Sequence, residues 1–425
     1  MAHWFHRNPM KPTGFVKFDL KGMLTSDASR KICSELRLRR EKLLDLFRDA
    51  SNTLVELDQE FNDYLRLFAG FIVEMNGPSP NIEAESSNQT SKLSVVQRFQ
   101  WGHSMLGTVS TELSDSWFEA LNIIECMAMW LSKHAAWVAG KDEVGEYEAK
   151  ECLLSLRRSA GMFSFVLANL NRLSGVDGFE GSDLDPKVGK TYELQAIAES
   201  QEIVIARAIE MKHNPFLISS LAAHTASIFA KAGEEISLLK AEIFGKWRRY
   251  FQLKEHVYNA YAFAFLGESL LQEDKCGEAV RACKEGIAEF EIASDFASKY
   301  KSASGPGAKI KPEDHLFFRK VKPILMCHLE KAQRENGFIY HQAVPDECPK
   351  LDVNPNYGVA KPEPFHYPSA AECWTPAVYS SFDLSKASMP DFSKLKQGKH
   401  LKPVNEEKIY QTEADPTNSS GCVIS

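Results

Sequence analysis

The residues with the most specific chemistry stand at the end of the chain. Cys422-Val423-Ile424-Ser425 places a cysteine before two aliphatic residues and a terminal serine. That is a C-a-a-X box, and serine in the last position favours a farnesyl group. Modified in this way, Cys422 carries a thioether-linked isoprenoid, the last three residues are removed and the new carboxyl terminus is methylated. A soluble chain then acquires a means of touching a membrane.

Other chemistry is missing. There is no GxxxxGK[ST], and the nearest string, Gly305-Pro-Gly-Ala-Lys-Ile-Lys, fails the spacing. No GxGxxG follows an expected strand, and HExxH and GxSxG do not occur. The 12 histidines are scattered without metal-ligand spacing, and His213, in Lys212-His213-Asn214-Pro215, reads as a turn residue between two helices. We therefore expect a non-catalytic interaction protein with no cofactor beyond the lipid, no metal and no small-molecule substrate.

Composition bounds the class. The chain has 425 residues, 44% hydrophobic and 25% charged, enough for one large or two smaller globular domains. A net charge of -7 without a dominant basic stretch argues against nucleic acid. Nine cysteines, an odd number with no CxxC, fit a reduced, cytoplasmic protein rather than a disulfide framework. The N-terminus has no apolar signal region, position 2 is Ala, and no apolar run approaches the ~20 residues of a membrane helix. The sequons at Asn88 and Asn418 are then not expected to be glycosylated.

The elements that must position a partner site are mostly helical. Val16, Phe18 and Leu20 alternate with Lys17 and Asp19, which predicts a short strand. Helices are expected from about Ser29, over Thr53 to Met75, and then over Glu112–Ala139, Glu146–Leu173, Thr191–His213, Pro215–Ala232, Ile236–Leu271 with a break near Trp247, Gly277–Tyr300 and Pro312–Arg334. Residues 76–92 read as an exposed loop. Small residues at Ala264, Gly267, Ala279, Ala282 and Ala293 suit close antiparallel packing of the tetratricopeptide kind, or an ordinary helical hairpin. An aromatic, Pro-rich stretch from Gly337 to about Pro376 is too apolar for a linker and should fold back over the helices. From Phe382 the apolar pattern is lost.

Several separated strings carry a family resemblance. Gln201 to Ala222 (QEIVIARAIEMKHNPFLISSLA), Lys275-Cys-Gly-Glu-Ala-Val, His315-Leu-Phe-Phe-Arg-Lys, Gln333-Arg-Glu-Asn-Gly-Phe-Ile-Tyr and Ala343-Val-Pro occur in that order, with His3-Trp-Phe-His-Arg-Asn-Pro at the front. Together they resemble the BRO domain of the Alix family over residues 1–380, leaving 381–425 as a disordered tail ending in the box. The resemblance implies a mostly α, boomerang-shaped domain with a tetratricopeptide-like core and a small β-sheet formed by the N- and C-terminal segments. It also implies an adaptor for ESCRT-III subunits of the charged multivesicular body protein type, whose C-terminal amphipathic helix enters a groove.

By the same resemblance Val204, Leu217 and Leu221 take the hydrophobic positions of that groove and Arg207 the basic one. Val204 replaces a larger aromatic of the Alix type, which alters the groove floor. On periodicity alone, Leu217 and Leu221 share a helix face and read equally well as core. Tyr340 matches a tyrosine of the family's C-terminal segment. The tail lysines Lys386, Lys394, Lys396, Lys399 and Lys402 end about 20 residues before Cys422. We expect reversible, partly cytosolic attachment at endosomal or nuclear-envelope membranes. The alternative is a prenylated helical-repeat scaffold for an unrelated partner.

Overall fold

The computed structural model describes residues 3–20, 22–75, 90–141, 144–173, 180–307, 311–386 and 401–409. Two helices, α1 (Asp27–Leu46) and α2 (Leu54–Ile72), precede a hairpin of β1 (Phe99–Gly102) and β2 (Ser110–Leu113). Six long helices follow: α3 (Ser116–Ala139), α4 (Glu146–Asn169), α5 (Pro186–Glu210), α6 (Pro215–Glu235), α7 (Ala241–Gln272) and α8 (Cys276–Ser302). The short α9 (Leu316–Arg319), α10 (Val321–Glu335) and α11 (Pro376–Ser380) close the order.

Local signals set the helix starts. Ser26 caps α1 in a reciprocal box with Ser29, Asp115 accepts from two amides at the start of α3, and Asn214 does the same for α6, each satisfying otherwise orphan donors. Pro186 and Pro215 occupy first-turn positions, where a missing N–H costs nothing.

Three expectations need correction. The sheet is the antiparallel β1–β2 pair, with Phe99 opposite Leu113, and not a ladder of terminal segments. Among the described residues the termini add single bridges, Thr13 to Trp101 and Leu24 to Phe382. Residues 15–20 keep the alternation of an edge, Val16, Phe18 and Leu20 inward, but Phe18 sits at φ 48°, which interrupts an extended run. Helix α7 runs unbroken through Trp247, because the indole is fully buried and its N–H donates to Gln195 at 2.8 Å.

The tail expectation also changes. Phe382 is fully buried in the core, so the body extends past residue 380. Residues 401–409 lie against the body, where Val404 packs on the main core and Ile409 on a second apolar cluster. Neither contact is foreseeable from apolar patterning, since the polar run Asn405 to Lys408 separates Val404 from Ile409. Lys394, Lys396, Lys399 and Cys422, and residues 76–89 of the expected loop, lie outside the described residues.

Helices α3 to α8 pack as successive antiparallel neighbours. At the α7–α8 seam a Cβ on Gly267 would stand 2.5 Å from Cys283 Sγ, so the glycine permits the close approach expected of tetratricopeptide-like pairs. The N-terminal segment is threaded into this stack. Trp4 is fully buried, Arg7 pairs with Glu199 at 2.7 Å, and Lys11 pairs with Glu125. Lys254 of α7 meets Glu202 of α5 at 2.9 Å with both side chains fully buried, and its ammonium lies 4.1 Å from the Phe317 ring centre. Burial pushes the Lys254 pKa down, against the pull of Glu202. Such pairs survive burial only with complementary partners, so they tie the N-terminus, α5 and α7 into one unit.

Candidate functional site

The site resembling a helix-binding groove is built where α4, α5 and α6 come together. Helix α5 ends at Glu210, Lys212 takes a left-handed φ of 53°, and the His213 N–H donates back to the Ala208 carbonyl at 3.0 Å. That closes α5 and turns the chain directly into α6, with Asn214 Oδ1 accepting from Phe216 N–H at 2.8 Å. His213 is thus a turn residue, as its sequence context suggests. The turn brings the last turns of α5 beside the first of α6, and with them Val204 and Leu217.

The four expected groove residues are placed differently. Val204 and Leu217 are half-buried, one side packed on the core and the other open. Arg207 is 36% exposed and pairs with Glu210 at 2.6 Å. Leu221 is 1% exposed and belongs to the core. The extended chain after α10 covers it: Gln201, itself fully buried, donates to the Gly358 carbonyl at 3.0 Å and accepts from the Ala360 amide at 2.7 Å. His224 of α6 bonds the Val353 carbonyl at 3.1 Å, and Arg157 of α4 bonds the Lys361 carbonyl at 2.8 Å. The Pro-rich stretch therefore crosses α6, α5 and α4 as ordered, unpaired chain. Its backbone groups go to helix side chains and to helix carbonyls, as Glu363 N–H does to Arg157 at 3.0 Å, instead of a strand partner.

Residues that sequence patterning did not single out complete the surface. On α4, Tyr147, Lys150 and Leu154 follow at helical spacing, with Tyr147 75% and Leu154 39% exposed. Lys150 holds Glu146 at 2.6 Å, and this bond, followed by the charges of Lys150 and Arg207, lowers the Glu146 pKa. Arg207 thus acts across the α4–α5 boundary. Met211 and Phe216, 63% and 47% exposed, stand at the α5–α6 turn. The arrangement is an apolar strip of Leu154, Val204, Leu217 and Phe216, edged by the cations Lys150 and Arg207. Each cation pairs with a carboxylate on its own helix, and Arg207 also acts on Glu146 of α4. An exposed tyrosine at α4's first turn was the available signal, but a single aromatic does not distinguish a groove from ordinary surface.

Among the described residues no group of three or more His, Cys, Asp or Glu is placed to hold a metal. The buried cysteines are held as thiols: burial pushes Cys283 up to about 12 and raises Cys126 and Cys152 further. Among those residues no helix is long and apolar enough to cross a membrane. Tyr340 donates to Asp274, a bond that with partial desolvation raises its pKa to about 12, while Phe338 and Ile339 beside it are exposed.

The chain has known relatives of the same fold. The family described as BRO1-like domain matches residues 88–394. The chain is 63% identical over 426 residues to the BRO1 domain-containing protein BROX homolog of Caenorhabditis elegans, covering 100% of both. It is 40% identical over 392 residues to the human BRO1 domain-containing protein BROX, covering 92% of this chain and 93% of that one. Among solved structures, one described as showing the basis for endosomal targeting by the Bro1 domain superposes with a TM-score of 0.64 at 18% identity, over 86% of this chain and 94% of that one. A complex described as ALIX BRO1 with CHMP4C superposes with a TM-score of 0.59 at 19% identity, over 87% and 98% of the two chains.

Proposed function

The chain belongs to the BRO1-like domain family, and from that premise we propose that it is a non-catalytic adaptor whose α4–α5–α6 strip receives the C-terminal amphipathic helix of an ESCRT-III subunit. The observation that carries this reading is the half-open pair Val204 and Leu217, flanked by Lys150 and Arg207. A helix laid in a groove buries residues at i, i+3, i+4 and i+7 and needs an apolar floor with polar edges. The strip supplies both. That the ALIX BRO1 domain forms a complex with CHMP4C supports the class of partner.

The second half of the reading concerns the tail. Farnesylation at Cys422 would give a peripheral, reversible hold on an endosomal or nuclear-envelope membrane, since one lipid chain alone anchors weakly. An ESCRT-III subunit bound at the strip would supply the second hold.

The test is titration of the full, unlipidated chain with fluorescent C-terminal peptides from each ESCRT-III subunit. Saturable binding to one class, reduced at least tenfold by Leu217→Asp in a chain that stays folded, is the expected result. No binding to any peptide would remove the groove reading and favour a scaffold for an unrelated partner.

A further inference from the structure

The segment 401–409 sits in a site that fits it closely. Both oxygens of Glu406 are engaged: Oε1 accepts from the Met10 amide at 2.7 Å, and Oε2 pairs with Lys133 Nζ on α3. The next residue, Glu407, donates its amide to the Arg48 carbonyl at 2.9 Å, just past the end of α1. Ile409 packs on the apolar cluster in which Ala135, Ala136, Val138 and Ala139 of α3 meet Ala149 and Cys152 of α4.

Lys133 has little other support. It is 6% exposed, and burial lowers its pKa. Glu406 is the carboxylate that acts to raise it, while the Arg7 charge opposes. His6, at the same small cavity, is held neutral with its pKa lowered to about 3, so it adds no second positive charge beside Lys133. A buried ammonium without its carboxylate is strongly disfavoured, which makes Glu406 the lock of this segment.

The chain reaches the site from the far end of α1. Phe382 bridges to Leu24, and Lys386 lies against Gly22, both before α1 begins. Glu407 is held after α1 ends, so the two attachments are separated by a helix of about 30 Å.

We propose that Lys133, Met10 and Arg48 form a dock for residues 404–409, and that its occupancy sets where the C-terminal end leaves the body. With the dock filled, that end departs beside the α3–α4 junction, next to the first turns of α4 that carry Glu146 and Lys150. Cys422 then lies only 13 positions beyond Ile409, a reach of at most ~45 Å. With the dock empty, the tether runs from Lys386, and its limit rises to ~120 Å. The dock is therefore a switch between a short and a long tether. The consequence for a membrane rests on the proposed lipidation, but the dock itself does not.

Two measurements on the full, unlipidated chain test it. Hydrogen exchange should find the amides of 404–409 protected, and Glu406→Lys should lower that protection at least tenfold while amides in α5 and α8 keep theirs. Energy transfer between a fluorophore at the C-terminal end and one at position 147 should fall in Glu406→Lys and recover when Lys133→Glu is added. Should Glu406→Lys disturb the core amides, Glu407→Pro removes the bond to Arg48 without burying a charge and should give the same loss. Exchange of 404–409 at the unprotected rate, or unchanged transfer in the undocking variant, would overturn the proposal. Incorporation of farnesyl at Cys422, measured separately, decides the anchor and leaves the dock untouched.

Discussion

Gly358 lies directly on Leu221: a Cβ at position 358 would stand 3.4 Å from Leu221 Cδ1, and the glycine runs at φ 79°. The left-handed backbone and the close approach both call for glycine there. The pair shows that the extended chain after α10 is part of the floor, so Leu221 supports the groove from beneath and does not meet a partner.

Leu217 and Leu221 should therefore respond differently to the same substitution. Leu221→Asp buries an unpaired carboxylate and should cost about 4 kcal/mol or more of stability. Leu217→Asp has an open side and should leave a cooperative melt while weakening peptide binding at least tenfold. Thermal melts beside the peptide titration check both. Equal destabilisation by the two would show that Leu217 is core as well.

The cations at the edge should matter for binding and hardly for folding. Lys150 and Arg207 pair with Glu146 and Glu210 on exposed helix faces, where such pairs contribute little to stability. A partner carboxylate can replace either neighbour. Charge reversal, Lys150→Glu with Arg207→Glu, should lower affinity about tenfold and flatten its salt dependence, with the melting temperature nearly unchanged. Binding measured at low and at physiological salt checks this.

What was legible in the sequence follows from range. Helices α3 to α8 are long, and α3, α5 and α6 begin at capping side chains, so their positions could be read locally. The turn at His213 and Asn214 was legible for the same reason. The cover on Leu221 depends on residues more than 130 positions away, and no periodicity in α6 records it. The groove's α4 edge was missed because Tyr147 and Leu154 only acquire meaning once α5 lies beside them. The dock was missed because Glu406 resembles any tail carboxylate until Lys133 is seen buried opposite it.

Acid should weaken the fold through its buried histidines. His6 lies between Tyr300 Oη at 2.9 Å and Asn8 Oδ1 at 3.0 Å, and burial lowers its pKa to about 3. Burial lowers His103 to about 4, and His3 also shifts down. The unfolded chain binds these protons first, so stability is complete above about pH 6.5 and falls as pH drops toward 3–4. The expected slope is about 1.4 kcal/mol per pH unit for each titrating histidine. His256 works in the opposite sense: burial lowers its pKa, but the Glu289 bond at 2.7 Å outweighs that, so its contribution fades as pH rises. Urea unfolding at pH 7 and pH 5 should show a net loss at pH 5; a gain would mean that Glu125, whose pKa burial pushes up to about 7, outweighs the histidines.

The lipid and the groove should act together on a membrane. A single prenyl chain holds weakly, so the farnesylated chain should partition between solution and bare vesicles. On vesicles coated with an ESCRT-III subunit the second contact becomes intramolecular, and retention should rise by ten- to a hundredfold. Cys422→Ser should abolish binding to bare vesicles and reduce retention on coated ones to that of the groove alone. Leu217→Asp should leave bare-vesicle binding intact and remove the gain from the coat. Flotation of the four combinations gives the coupling directly. Retention on coated vesicles that equals the sum of the two separate contacts would mean that lipid and groove cannot engage at once, and the adaptor would then be limited to one of them at a time.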